Sequence, residues 1–262
     1  MFTRQLYILH IPSPIVNISS TIFASWVGYD YEEVISYFPA AVVVFENEQK
    51  DMILANNSVA VYEWGRYAFG YTSSQILQDD HFVYLEKLLT MEILAIKNTS
   101  GKVTIPSMYL SKPVSRINQF SLIGHNGGVN FIEISNGVEF ISTYAFYASQ
   151  VLRVVTVPLS VSAVNYLGFY GLSNAEIHVK ASQKPSNWDS TWFDEVKGVI
   201  WNSQLEDGLV SEDGVFIYLI TQNQAKIFKY LGNWSSSAPV IIPSSVDGYP
   251  VTAIAKGAIT LN

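Results

Sequence analysis

The sequence feature that most constrains the fold is an internal repeat of 23 residues. Ile132, Ile134, Val138, Ile141, Ala145 and Phe146 recur 23 residues later as Val155, Val157, Val161, Val164, Gly168 and Phe169. Apolar residues at i and i+2 point to one face of a strand, and the later positions return the chain to the same interior. A unit this short cannot bury its own interior, so consecutive units must stack. The repeat predicts an α/β to mainly β solenoid of short parallel strands with short helical or 3₁₀ return segments.

A second internal match has a longer range and needs no gap. Residues 105–117 align with residues 242–254 at a constant offset of 137. Ile105, Pro106, Ser107, Pro113, Val114 and Ile117 have identical partners in Ile242, Pro243, Ser244, Pro250, Val251 and Ile254. Each segment follows a stretch of alternating apolar residues, 92–96 and 227–231. The chain is therefore predicted to begin the same kind of array twice.

These repeats resemble the BspA-like leucine-rich repeats, whose coils read roughly I-x-I-P-x-x-V-x-x-I-x-x-x-A-F. The segment Val246–Ile254 is also similar to the lead coil of that family, V-D-G-Y-P-V-T-x-I. The resemblance covers about residues 90–202 and 215–262. It departs from the family pattern after Ile254, where the Phe of Gly-x-x-Ala-Phe is Ile259. The resemblance implies a leucine-rich-repeat solenoid and an extracellular role in binding or adhesion.

Three segments are predicted from these patterns. Residues 91–202 form the repeat array, which ends in a Trp-rich cap at 184–202, and residues 203–262 form a linker and the start of a second array. Residues 1–90 are predicted to be a small mixed α+β docking domain. Its helices are expected at Asp30–Phe38 and from the capping box Thr72–Gln75 through Leu94. Residues 61–69, which contain Tyr-Ala-Phe, are alternatively a decayed coil.

Composition excludes several classes of protein and of partner. The chain has no Cys, which excludes disulfides, cysteine zinc sites and thiol nucleophiles. Its net charge is −7 and it has no run of Lys or Arg, so nucleic acid is not an expected partner. Its apolar runs are far shorter than the ~18 residues of a membrane span, and the run before Pro12 is too short for a signal peptide. Only 14% of residues are charged, against roughly 25% in an average domain, which favours an extracellular or virion location.

No motif for catalysis, a metal or a cofactor is present in the sequence. The four His residues lie far apart, and the nucleophile, P-loop and dinucleotide signatures are absent. Carboxylates are densest at 189–213, where a calcium site or a glycosidase pair is the alternative to a solvated linker with Asp-Gly turns. We therefore predict no catalytic residue, no metal site and no cofactor.

Aromatic residues are the candidates for ligand contact, because exposed Tyr and Trp supply wide contact area at a small cost in entropy. The predicted binding residues are Tyr144, Tyr147, Tyr166, Tyr170, Trp188 and Trp192. The alternative is that these side chains form a packing ladder or a cap.

These observations predict a non-enzymatic structural and binding subunit. The first interpretation is a phage virion component of the fibre or appendage type, whose repeats recognise a protein or a host surface. The alternative is a secreted or cell-surface adhesion module that binds a host protein or glycan, and the third is a carbohydrate-active enzyme. The last coil lacks a second Trp-rich cap, so the expectation is either a homo- or hetero-oligomer with other virion or surface proteins that covers it, or a chain that has been cut.

Overall fold

The computed structural model of the chain describes residues 7–12, 41–46, 66–97, 100–123, 128–205, 207–211, 215–232 and 239–259. In chain order the strands are β1 (Tyr7–Ile11), β2 (Ala41–Phe45), β3 (Arg66–Phe69), β4 (Ile76–Gln78), β5 (Phe82–Glu86), β6 (Met91–Ile96), β7 (Ser100–Ile105), β8 (Met108–Tyr109), β9 (Lys112–Ile117), β10 (Leu122–Ile123), β11 (Gly128–Ile134), β12 (Phe140–Ile141), β13 (Phe146–Tyr147), β14 (Val154–Val157), β15 (Ala163–Val164), β16 (Phe169–Tyr170), β17 (Glu176–Val179), β18 (Phe193–Asp194), β19 (Gly198–Ile200), β20 (Asp207–Val210), β21 (Phe216–Thr221), β22 (Gln224–Tyr230), β23 (Ser245–Val246) and β24 (Tyr249–Ile254).

The described residues between 100 and 200 form a solenoid whose coils stack their strands in three parallel ladders. Sheet 1 has the order β19-β17-β14-β11-β7, sheet 2 contains β15-β12-β9, and sheet 3 has the order β10-β13-β16-β18. Ile132 lies opposite Val155 in sheet 1, Ile141 opposite Val164 in sheet 2, and Phe146 opposite Phe169 in sheet 3. These pairs are separated by the 23 residues of the repeat. The predicted solenoid is confirmed.

The interior of the solenoid is a stack of the repeated apolar side chains. Phe146 and Phe169 are fully buried and stack with ring centroids 5.0 Å apart. The position of Ala145 is occupied by Gly168 in the next coil, because a Cβ there would lie 2.7 Å from Cγ1 of Val164. The interior is therefore close-packed from coil to coil.

The return segments consist of two-residue strands and single turns, and the described parts of the array contain no helix. At one corner of each coil the Ala145 N–H donates to the Ser142 carbonyl, and the Gly168 N–H donates to that of Asn165, both over 3.1 Å. Tyr144 and Leu167, at this corner, have φ of 51° and 48°. A single left-handed residue redirects the chain, so the rest of the segment remains extended and pairs with its neighbours.

The helix predicted from Thr72 through Leu94 is wrong. The Thr72 N–H donates to Oε1 of Gln75 as the capping box requires, but only a 3₁₀ turn, Ser73–Gln75, follows. The apolar residues beyond it form the antiparallel strands β4, β5 and β6. Between β4 and β5 the Asp79 carboxylate accepts the N–H groups of His81 and Phe82 at 2.8 Å each. This turn and the aromatic and β-branched run Phe82–Tyr84 favour a hairpin over a helix.

The described part of the N-terminal region is β. Strands β1, β2 and β3 form a separate parallel sheet, which packs on Val83, Leu85 and Leu94 of the β5–β6 hairpin. The predicted helix Asp30–Phe38 lies outside the described residues. The predicted domain boundary at residue 90 falls in the connection between β5 and β6, whose sheet continues into sheet 2. The division into domains stays a prediction.

Two parts of the molecule share one strand arrangement. We call β4–β6 with β8 and β9 the first hairpin module, and β20–β24 the second. In the second module β20, β21 and β22 are antiparallel, β24 pairs parallel with β22, and β23 pairs antiparallel with β24. The first module leads into sheet 2, whereas the second folds back onto the outer face of sheet 1. There Phe131 and Val154 pack against Leu205, Ile217 and Phe228.

Candidate functional site

Four of the six predicted binding residues lie together on the outer face of sheet 3. In β13 and β16 the side chains alternate, so Phe146 and Phe169 point to the interior while Tyr147 and Tyr170 point outward. Because β13 and β16 pair in register, the two outward rings stack with centroids 5.4 Å apart. The 23-residue repeat thus produces a ladder of tyrosines outside as well as a ladder of phenylalanines inside.

Two further tyrosines extend this ladder at the corners of the coils. The Tyr144 ring stacks on Phe120 at 5.6 Å and meets Tyr147, Tyr166 and Tyr170 edge to face. Edge-to-face and offset-stacked rings hold one another rigidly in place. We call these five residues, Phe120, Tyr144, Tyr147, Tyr166 and Tyr170, the tyrosine surface.

The tyrosine surface is partly buried and has an acidic border. Tyr166 is 49% exposed, Tyr144 and Tyr170 are half-buried, and Tyr147 and Phe120 form the base. Burial raises the pKa of Tyr147 to about 12, and the neighbouring phenols and Glu195 add to this effect. The pKa of Tyr170 is also raised, by burial and by Glu195 and Asp194. The phenols of Tyr147 and Tyr170 are therefore neutral hydroxyl groups at physiological pH.

Trp188 and Trp192 do not belong to this surface. They are 2% and 1% exposed, and both rings lie in the interior at the last coil. Trp188 donates its indole N–H to the Val161 carbonyl over 3.2 Å, and Trp192 meets Phe169 edge to face. An exposed contact role for these two residues is therefore wrong, because closing the end of the apolar stack takes up both rings.

Several of the described histidines and carboxylates make local structural contacts. His178 shares a hydrogen bond of 3.0 Å with Ser203. Asp189 accepts the N–H and hydroxyl of Thr191 at 2.7 Å each, and Asp207 pairs with Lys102. Within the described ranges no three His, Asp or Glu side chains converge in a metal-binding arrangement, and no helix is long and apolar enough to cross a membrane.

A basic cleft that the sequence did not predict lies between sheet 1 and the second hairpin module. Its walls carry Arg153 and Lys197 from the array and Lys226, Lys229 and Lys256 from the module. These residues are spread over about 100 positions of the sequence and follow no period. The sequence signal for this wall of the cleft is the alternation in β22, where exposed Gln224 and Lys226 alternate with buried Ala225 and Ile227.

Comparison with known proteins gives one structural similarity. No protein-family profile and no curated protein sequence matches the chain. The crystal structure of a leucine rich cell surface protein from Faecalibacterium prausnitzii is similar, with a TM-score of 0.29 and 14% sequence identity. The match covers 61% of this chain and 62% of that chain. The fold assignment rests on the strand register described above.

Proposed function

We propose that this protein is a non-enzymatic recognition module of the BspA-like type, which binds a surface protein or glycan through the tyrosine surface. The observation that carries the proposal is the rigid cluster of four tyrosines on the outside of a solenoid, with Tyr166 half exposed. Protein interiors bury such rings, and a cluster of aromatic side chains that reaches the surface is typical of interaction sites.

The chemistry of this surface suits recognition. A tyrosine supplies a flat apolar face and a hydroxyl group, and only two torsions must be fixed when it binds. The rings at the base of the surface are already held by stacking, so little further ordering accompanies ligand contact. The raised pKa values of Tyr147 and Tyr170 keep their phenols as weak acids, which suits hydrogen bonding rather than acid–base catalysis.

The double variant Tyr166→Ala/Tyr170→Ala tests this function. Binding to a glycan array and to intact bacterial cells, measured with fluorescently labelled protein, should fall about tenfold or more because two anchors are lost. Leu159→Ala is the matched control, since Leu159 is a 72% exposed apolar side chain of the same array outside the tyrosine surface. Equal binding by the double variant and the unaltered protein would contradict the proposal.

The proposed function also includes a location for the protein and assembly with other protein chains. A phage virion is the first proposed carrier and a bacterial cell envelope the alternative; low charge and the absence of Cys in the sequence support both. Mass spectrometry of purified virions and of washed cell envelopes distinguishes the two. We also propose assembly with a further copy or with another surface protein, supported by the exposed Ile241 and Ile254 of the second hairpin module. Light scattering that gives the mass of a lone chain at micromolar concentration would count against self-assembly.

A further inference from the structure

The basic cleft is a second concave site, on a different face from the tyrosine surface. It encloses about 720 Å³ between the outer face of sheet 1 and strands β22 and β24. Small-molecule sites in proteins typically enclose roughly 300–1,000 Å³. The cleft therefore has room for a mono- or disaccharide between two walls that are both built on sheets.

Its charge is opposite to that of the whole chain. Among the described residues that line it, five are cationic and only Glu176 is a carboxylate, although the protein has a net charge of −7. Glu176 already forms a salt bridge of 2.9 Å with Lys197. Among the described lining residues Glu176 is therefore already paired, and no further carboxylate lines the cleft beside Arg153, Lys226 and Lys256.

The cationic groups are also close enough to repel one another. Burial lowers the pKa of Lys229, and the charges of Arg153 and Lys197 lower it further. Arg153 is held in place by its guanidinium, which donates to the carbonyls of Gln150 and Leu152 at 2.6 and 3.1 Å. An anion between these walls would relieve the repulsion without rearranging the backbone.

Polar side chains without charge complete the lining. Gln204, Gln224 and Thr252 offer amide and hydroxyl groups, and Phe228 and Leu205 offer apolar contact. His178 is buried in the wall, and its Nε2 has no hydrogen-bond partner, lying 3.8 Å from Oε2 of Glu176. Buried polar atoms without a partner are uncommon in folded proteins and often mark functional sites. The cationic side chains suit an anionic group, and the amide, hydroxyl and aromatic side chains beside them suit a sugar ring with several hydroxyl groups.

We propose that the basic cleft binds an anionic saccharide. Its carboxylate or sulfate group lies near Arg153, Lys226 and Lys256, and its hydroxyl groups contact the amide side chains of the rim. The proposal does not depend on the tyrosine surface, because the two sites lie on different sheets and share no residue.

Isothermal titration calorimetry at low salt tests the proposal on the full chain with four probes. These are digalacturonate, a sulfated disaccharide, sodium sulfate and neutral maltose. The test variant is Lys226→Gln/Lys256→Gln, in which both side chains are exposed and folding should be unaffected. The control variant, Lys87→Gln/Lys112→Gln, removes the same charge from the first hairpin module.

We expect digalacturonate or the sulfated disaccharide to bind, and the test variant to weaken that binding about three- to tenfold. The control variant should change it less than about twofold. Digalacturonate and the sulfated disaccharide together distinguish a carboxylate from a sulfate as the group recognised. Equal binding of maltose, equal loss in the control variant, sulfate as strong as the saccharides, or no binding of either acidic saccharide at millimolar concentration would each overturn the proposal. Loss of glycan or cell binding on mutation of Tyr166 and Tyr170 alone would leave this result unchanged.

Discussion

The two hairpin modules have the same backbone pairing, but the last strand is covered by a further coil in the first module and exposed in the second. In the first, Ile93 lies opposite Ile117, and in the second Ile227 lies opposite Ile254. Both ladders shift register just before these pairs. The backbone hydrogen bonds also correspond. The Val114 N–H donates to the Ser107 carbonyl at 2.9 Å, and the Val251 N–H donates to the Ser244 carbonyl at 2.8 Å. The internal sequence match at an offset of 137 therefore reflects a structural duplication.

The modules differ at the edge that faces the next coil. β9 pairs with β12, and Ile117 is fully buried. In the described residues β24 pairs only with β22 and β23, and Ile254 is 50% exposed. Residues 239–242, which correspond to positions 102–105 of β7, are not a strand in the second module, and Ile241 is 77% exposed. The same sequence motif thus becomes core or surface according to whether a further coil covers it.

The largest expected effect comes from truncating the corresponding isoleucines. Ile117→Ala should lower the free energy of unfolding by about 2–5 kcal/mol, because it leaves a cavity between β6, β9 and β12. Ile254→Ala should cost less than about 1 kcal/mol, since half of that side chain already contacts water. Urea unfolding of the two variants measures the difference. Equal losses would mean that Ile254 is covered in solution, and the contrast between the modules would not hold.

The next effect concerns how the second module is anchored. A Cβ on Gly208 would lie 1.8 Å from Cε2 of Phe131 on the outer face of sheet 1. Phe131 packs in one cluster with Val154 and Phe228 and cannot move aside freely. Gly208→Ala should therefore destabilise the docked module by about 1–3 kcal/mol.

Gly198→Ala is the control for this docking contact. Gly198 is also a strand glycine, but a Cβ there would meet nothing within 4 Å. Thermal unfolding followed by tryptophan fluorescence compares the two variants. If both melt alike, Gly208 is not the point of close approach that fixes the second module on sheet 1.

The stacking of the coils could be predicted from the sequence because the repeat encodes it. The matched apolar positions at Ile132 and Val155, and at Phe146 and Phe169, lie opposite one another because each coil repeats the same backbone path. The capping box at Thr72 forms, but the helix predicted from it does not, because three strands follow the turn. Pairing of Phe82–Glu86 with β6 decides that outcome, and it is a tertiary effect.

The candidate sites also differ in whether the repeat encodes them. The tyrosine surface could be predicted because Tyr147 and Tyr170 share one position of the repeat. Trp188 and Trp192 do not share a position of the repeat, and the residue type alone did not distinguish a buried cap from an exposed binding surface. The basic cleft could not be predicted, since Arg153 and Lys229 come together only when the second module docks. Non-periodic contacts between distant segments are not encoded in a repeat.

A smaller effect is expected at the two turns that open β9 and β24. Leu110 and Ser111 have φ of 46° and 64°, and the corresponding Asp247 and Gly248 have φ of 45° and 82°. Ser111→Gly should stabilise the protein by up to about 1 kcal/mol by removing left-handed strain, and Gly248→Ser should destabilise it by a similar amount. A Cβ on Gly248 would meet nothing within 4 Å, so the expected loss is purely conformational. Opposite shifts in the urea midpoint would confirm equivalent turns; shifts of the same sign would contradict this.

The smallest expected effect is a pH dependence of the contact between the second module and sheet 1. Lys102 on β7 pairs with Asp207 on β20 and, at 2.8 Å, with Glu133 on β11. Burial alone would lower the pKa of Lys102, but the two carboxylates outweigh it and raise the pKa above its ordinary value. The folded state therefore holds this proton more tightly than the unfolded chain. The stabilisation is complete below the ordinary lysine pKa of about 10.5 and is lost as the pH rises through the higher folded value.

Comparison with Asp207→Asn isolates this contribution. Deprotonation of buried tyrosines also weakens the fold at high pH, but it affects both proteins equally and cancels in their difference. We expect the difference in unfolding free energy between the protein and the variant to be constant from about pH 6 to 9 and to shrink above about pH 10.5. Urea titrations across this range measure it. A difference that stays constant into the alkaline range would show that Asp207 acts on the docked module through its backbone contact with Gly208, whose N–H it accepts at 2.7 Å, rather than through the charge of Lys102.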